Sequence, residues 1–186
     1  MRTFIAVELP REVKREIEEV QSPLKKTDTF VSWVKPGNVH VTLKFLGEVN
    51  EERIEDVFQG TERALKESRV FNLSLKDLGC FPNVRRPRVV WVGVDKGKEE
   101  LSQMQSRIEE ELFKLRFPKE ERRFSAHLTI GRVKSPKNID DLTRRIETTK
   151  FQTEEVKVEE VVVMKSQLHP QGAIYTPLKK IKLLEF

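Results

Sequence analysis

Three histidines occur in this chain, and two of them stand in one repeated frame: His40-Val41-Thr42-Leu43 and His127-Leu128-Thr129-Ile130. An imidazole exchanges a proton near neutral pH, and a threonine hydroxyl can donate a hydrogen bond to an oxygen that is gaining charge. If both frames are strands, alternate side chains share a face. His40 then projects with Thr42, while Val41, Leu43 and Phe45 pack on the other side. His127 likewise projects with Thr129, with Leu128 and Ile130 packed behind them. Two such strands set face to face would gather two imidazoles and two hydroxyls around one point. One imidazole could remove a proton from an attacking hydroxyl or water while the other supplies a proton to a leaving oxygen. The hydroxyls would hold the oxygens of the charged intermediate. A phosphodiester uses all four groups.

A chance repeat of His-x-Thr among three histidines is expected about once in a hundred such chains, so the pair reads as functional. Metal binding is the weaker reading, because zinc sites draw on closely spaced His and Cys or on a third strong ligand. The third histidine, His169, lies in the turn-like "LHPQGAIY" and reads as a loop residue. Spacing alone does not say which histidine is acid and which is base.

The elements that must position these groups alternate short β-like runs with amphipathic helical runs. "TFIAVEL" reads as a strand, and Pro10 opens a helix with Val13, Ile17, Val20 and Leu24 on one face. Strands over 30–34 and 38–47 flank the turn at Pro36-Gly37. Asn50 is the expected cap of the next helix. A single alternating strand is expected over 71–79, and a nearly continuous apolar strand over 88–94 should be central in its sheet. Leu101, Met104, Ile108, Leu112 and Leu115 mark a helix. A strand over 126–133, a short helix with Ile139, Leu142 and Ile146, and two closing strands complete the order. Directly paired strands with interspersed helices predict an α+β fold with antiparallel sheets.

The chain has 186 residues, enough for one domain, or two small lobes on one core, without staples. Charged residues make up 35% with a net charge of +5, which is compatible with a polyanionic partner. Cys80 is the single cysteine, so no internal disulfide forms, and a reducing cytoplasm is the expected compartment. No apolar stretch approaches the length of a membrane span. Abundant Glu, Lys and Arg beside few Asn, Gln and Cys suggest a thermophilic source.

The segments "RTFIAVELP", "WVKPGNVHVTLKFLGE", "PRVVWVGV", "FSAHLTIGRV" and "SQLHPQGAIYTPL" resemble, in order, those of the 2H phosphoesterases. Within that family the likeness is to the RNA 2′,3′-cyclic phosphodiesterases, also called 2′-5′ RNA ligase-like proteins. The resemblance covers essentially the whole chain. It implies a single two-lobed domain over 1–186, with antiparallel sheets lining a central cleft, helices outside and one motif from each lobe. It also implies metal-independent, cofactor-free hydrolysis of a terminal RNA 2′,3′-cyclic phosphate to a 2′-phosphate by a monomer. His40 would be the proton donor and His127 the proton acceptor, with Thr42 and Thr129 on the non-bridging oxygens. Arg132 is a phosphate contact in the same comparison, although strict alternation points it away from His127 unless a bulge at Gly131 re-aims it. Lys44 shares the parity of His40 and is a candidate phosphate contact. Tyr175, Trp33 and Phe4 are candidates for stacking on a base, and Arg85 to Arg88 for touching an RNA backbone. Ligation of the cyclic end to a 5′-hydroxyl RNA, or RNA binding without turnover, would use the same cleft.

Overall fold

Among the described residues, the apolar stripes read from the sequence fold into ten strands and four helices. The computed structural model describes residues 1–185 of the chain. In chain order the elements begin β1 (Arg2–Glu8), α1 (Arg11–Lys25), β2 (Val31–Trp33), β3 (His40–Glu48), α2 (Ile54–Ala64), β4 (Phe71–Leu73) and β5 (Leu75–Phe81). They continue β6 (Val89–Val94), α3 (Lys98–Lys114), β7 (His127–Val133), α4 (Ile139–Thr148), β8 (Val156–Val158), β9 (Glu160–Gln167) and β10 (Ile174–Lys182). One four-stranded sheet has the order β10-β9-β1-β3, a second β2-β7-β6-β5, and β4 pairs with β8. Every one of these ladders is antiparallel, which makes the fold α+β. The two sheets approach each other along β3 and β7, the strands that carry the repeated motif.

Helices cover the outer faces. Val13, Ile17, Val20 and Leu24 of α1 are all buried, as their spacing predicts. Helix α1 lies against the second sheet beside α4, and α3 packs on β3 of the first sheet with α2 alongside. One apolar core joins both sheets, from Ile5 and Val41 in the first to Val92 and Leu128 in the second. A full burial of each such side chain contributes about 1.5–3 kcal/mol. A smaller cluster of Phe4, Ala6, Val162 and Met164 occupies the opposite face of the first sheet, so β1 is buried on both sides. That explains why its sequence is apolar without a break from Phe4 to Val7. No helix among the described residues is long and apolar enough to cross a membrane.

Two local expectations are corrected. The single strand over 71–79 is two strands in different sheets, broken at Ser74. Its N–H donates to Lys96 O at 3.1 Å and its carbonyl accepts from Asp95 N at 2.8 Å, so the Ser74 backbone is bound to the turn before α3, between the two strands. Asn50 gives no side-chain cap, because a 3-10 turn over Glu51–Arg53 precedes α2.

Candidate active site

Strict alternation holds through the first three residues of each motif and then fails on both strands. On β3, His40 lies opposite Glu8 and Thr42 opposite Ala6, but the next ladder pair is Lys44 with Ile5. Leu43 is the extra residue of a β-bulge. It shifts parity, so Leu43 and Lys44 are both buried on the core side while Phe45 turns to the cleft and is 48% exposed. On β7, Thr129 lies opposite Trp91 and Gly131 opposite Val90, leaving Ile130 as the extra residue. The bulge places Arg132 with His127 and Thr129, in the way the sequence required. Each bulge follows its threonine directly.

Neighbouring elements hold these bulges. Gln21 of α1, fully buried, donates its Nε2 hydrogens to Val34 O at 2.8 Å and to Ile130 O at 3.0 Å. Gly131 is required by packing, since a Cβ there would lie 2.8 Å from the Trp33 ring and 3.0 Å from Val31. Trp33 is thus a cover for the back of β7 and not a base-stacking residue of the cleft. Lys44 is also removed from the cleft. Its Nζ donates to Glu109 Oε1 at 2.5 Å and to Pro118 O at 2.9 Å, and Glu109 Oε2 accepts the Glu120 N–H at 2.9 Å. The lysine ties the floor of β3 to the loop that leads into β7.

The two imidazoles are held alike. His40 Nδ1 lies 2.8 Å from Asn38 O, and His127 Nδ1 lies 2.6 Å from Ser125 O. A carbonyl only accepts, so Nδ1 carries the hydrogen in both rings and Nε2 is the exchanging atom. His40 Nε2 is 2.9 Å from Thr42 Oγ1. The His40 ring stacks on Phe4 at 4.8 Å between centroids and meets Tyr175 edge-on at 5.3 Å, while His127 meets Phe81 edge-on at 4.9 Å. Burial pushes both imidazoles below their usual range, opposed by the carbonyl bonds and assisted by Lys14 for His40 and Arg132 for His127.

A cleft of about 250 Å³ takes in His40, Thr42, His127, Thr129, Arg132 and Tyr175 together, and Phe4, Phe45, Arg2 and Ser166 are among the other residues of its walls. Phe4 is only 3% exposed, covered by the His40 ring, so it supports the histidine and offers no free face to a base. Tyr175 stays half-buried at the cleft wall, its phenol raised by burial against the pull of Arg132 and Arg2. His169 lies outside, in the exposed β9–β10 turn. Arg2 and Phe45 were missed by the sequence reading. Arg2 shares the parity of Phe4 and Ala6 and was legible from that, whereas Phe45 was hidden by the bulge. Another hollow, of about 1200 Å³ between α3 and β4, contains neither His40 nor His127. Among the described residues no three His, Cys, Asp or Glu side chains gather as a metal site.

The chain matches the family model of the 2′-5′ RNA ligase superfamily over residues 9–170. It is 38% identical to a Methanothermobacter thermautotrophicus protein named RNA 2′,3′-cyclic phosphodiesterase, over 98% of this chain and 99% of that one. A Thermotoga maritima protein of the same name is 36% identical, over 96% and 93%. Among solved structures, TT0787 of Thermus thermophilus superposes with a TM-score of 0.82 at 29% identity, covering 98% of each chain. Escherichia coli LigT complexed with 3′-AMP superposes with a TM-score of 0.79 at 25% identity, over 98% and 97%. With its two His-x-Thr strands, this chain belongs to the 2′-5′ RNA ligase superfamily of 2H phosphoesterases.

Proposed function

We propose that this protein hydrolyses a terminal RNA 2′,3′-cyclic phosphate to a 2′-phosphate by acid–base catalysis between His40 and His127, without a metal. The observation that carries the reading is the pairing of two imidazoles in one cleft, each with Nδ1 fixed on a carbonyl and Nε2 left to exchange a proton. The shared activity named for the relatives supports the choice of substrate. His127 Nε2 takes a proton from water as its oxygen bonds to phosphorus. The bond from phosphorus to the 3′ oxygen breaks, and that oxygen takes the proton from His40 Nε2. Thr42 and Thr129 donate hydrogen bonds to the non-bridging oxygens, and the Arg132 guanidinium offsets their growing charge. Each proton transfer contributes about 10²–10⁴-fold. Solvent then resets both imidazoles.

The test is an oligoribonucleotide ending in a 2′,3′-cyclic phosphate, incubated with the protein in EDTA. A 2′-phosphate end is the expected product, and a 3′-phosphate would reverse the leaving group. His40→Ala and His127→Ala should each abolish turnover with the fold intact. Near-full rate in either variant would end the paired acid–base scheme, and loss of activity on chelation would bring back a metal.

A further inference from the structure

Arg2 has no task in the chemistry just described, yet it stands in the same cleft. Its strand fixes its place. Ala6 is the β1 residue opposite Thr42, and Arg2 lies four residues further along the same face, about 13 Å by strand rise. The side chain leans part of the way back, with Cζ 4.9 Å from the centroid of the Phe45 ring. Phe45 pairs with Phe4, two β1 residues from the Thr42 level, or about 7 Å. The guanidinium is therefore offset from the threonine pair by a short step along the cleft.

Its electrostatic setting is unusual. Arg2 Nε is buried and makes no hydrogen bond among the described residues. Its cross-strand partner Glu48 is engaged by the Met1 amino group at 2.9 Å, and Arg2 forms no ion pair among the described residues. A guanidinium held partly out of water with an idle donor and no counter-charge is costly unless a ligand supplies the anion. Arg132, beside Thr129, serves the reacting phosphate, and both cations act on the Tyr175 phenol. The cleft thus carries two cationic stations, and the reacting phosphate needs one.

The ribose that bears a 2′,3′-cyclic phosphate carries a second phosphate on its 5′ oxygen when it ends an RNA chain. A free nucleoside cyclic phosphate lacks it. We propose that Arg2 binds this 5′-side phosphate and so makes the enzyme select an RNA end over a free nucleoside cyclic phosphate. The inference rests on the phosphodiesterase reading and adds a specificity determinant to it.

The experiment compares kcat/KM on a nucleoside 2′,3′-cyclic phosphate with a free 5′-hydroxyl and on the same compound phosphorylated at the 5′ oxygen. Wild type should prefer the second by roughly 10–100-fold, the range of a charge-assisted contact. In Arg2→Gln that ratio should fall to within about threefold of one, with Arg2→Lys between, since lysine keeps the charge but not the planar fork. A purely structural role for Arg2 would slow both substrates equally and leave the ratio standing. Salt gives a readout that needs no variant: for wild type, log kcat/KM on the phosphorylated substrate should fall more steeply with log salt, by about 0.7 for one extra phosphate contact. A wild-type ratio near one, equal salt slopes, or a ratio kept in Arg2→Gln would overturn the inference alone. Turnover of neither substrate would overturn the phosphodiesterase reading and this inference with it.

Discussion

Lys44→Met replaces an ammonium whose side chain is 3% exposed and whose partner Glu109 is 10% exposed. The stem keeps its length and apolar character, so little packing is lost and the change is mainly electrostatic. What disappears is the 2.5 Å ion pair and the 2.9 Å bond to Pro118 O. Glu109 is left as a buried carboxylate with only the Glu120 N–H to accept. Breaking a buried pair from one side costs about 3–5 kcal/mol. For a chain of this size that is roughly 6–20 °C in Tm. Glu109→Leu should cost a similar amount, because it strands the ammonium. The double variant removes both charges and leaves Pro118 O and the Glu120 N–H short of partners. At about 1 kcal/mol or slightly more for each partly buried group, it should lose only about 2–3 kcal/mol. Guanidinium unfolding followed by circular dichroism and by Trp33 and Trp91 fluorescence measures all three. The reasoning fails if the double variant loses the sum of the single losses, or if Lys44→Met lies within about 1 kcal/mol of wild type. Kinetics separate the structural from the phosphate-binding reading of Lys44. A phosphate contact would raise KM in a protein of unchanged stability, whereas this pair predicts lost stability and a near-normal KM per folded molecule.

Three further outcomes follow from the same geometry. The pH profile of kcat/KM should be bell-shaped with its maximum below about 6.5, because burial lowers both imidazoles and the active form holds one proton between them; a maximum at or above about pH 7 would contradict this. The same shifts bear on stability: the unfolded chain binds protons on these rings more readily, so stability is full above the unfolded value of about 6.5 and falls as pH drops through it toward the folded values. Denaturant titrations at about pH 7 and 5 should show this loss, and a wild-type slope no steeper than that of His40→Ala would refute it. Gly131→Ala should cost about 1–3 kcal/mol by pushing Trp33 off the back of β7, and should lower the rate through Arg132; unchanged stability and rate would show that the strand has room.

Much of this site was legible because strand alternation is a local rule. Val41 and Leu128 went inward, and His40, Thr42, His127 and Thr129 went toward the cleft, as period two demands. The rule failed one residue later. Lys44 was assigned to the cleft and Phe45 to the core, and the Leu43 bulge reversed both. No residue type at 43 announces that bulge, since leucine is an ordinary strand residue. The counterpart on β7 was anticipated because Gly131 is a recognisable irregularity, although the extra residue is its neighbour Ile130. Ser74 misled for a related reason. The alternation of 71–79 continues through it, but its backbone bonds go to Asp95 and Lys96, a long-range choice that no short window records. Gln21 was invisible as a site-building residue because its partners, Val34 and Ile130, are distant in sequence.

The two bulges also make the two sides of the cleft unlike. By their placement, the residue five beyond each histidine returns to the cleft, and the two strands differ in what they put there: Phe45 on β3 and Arg132 on β7. Burial disfavours the imidazolium of both rings, and a cation adds to this in each case, Lys14 for His40 and Arg132 for His127. Once protonated, His127 faces Arg132, which hastens return of the proton to solvent. The cleft position on the His40 side is apolar, and His40 Nε2 already has a hydroxyl, Thr42 Oγ1, at 2.9 Å with which to share a hydrogen. An anionic phosphate entering between the rings favours the imidazolium of both and so offsets part of the lowering by burial. The two halves of the cleft therefore differ in a way that the near-identical motifs do not contain: in the fifth residue after each histidine and in the bulge that turns it inward.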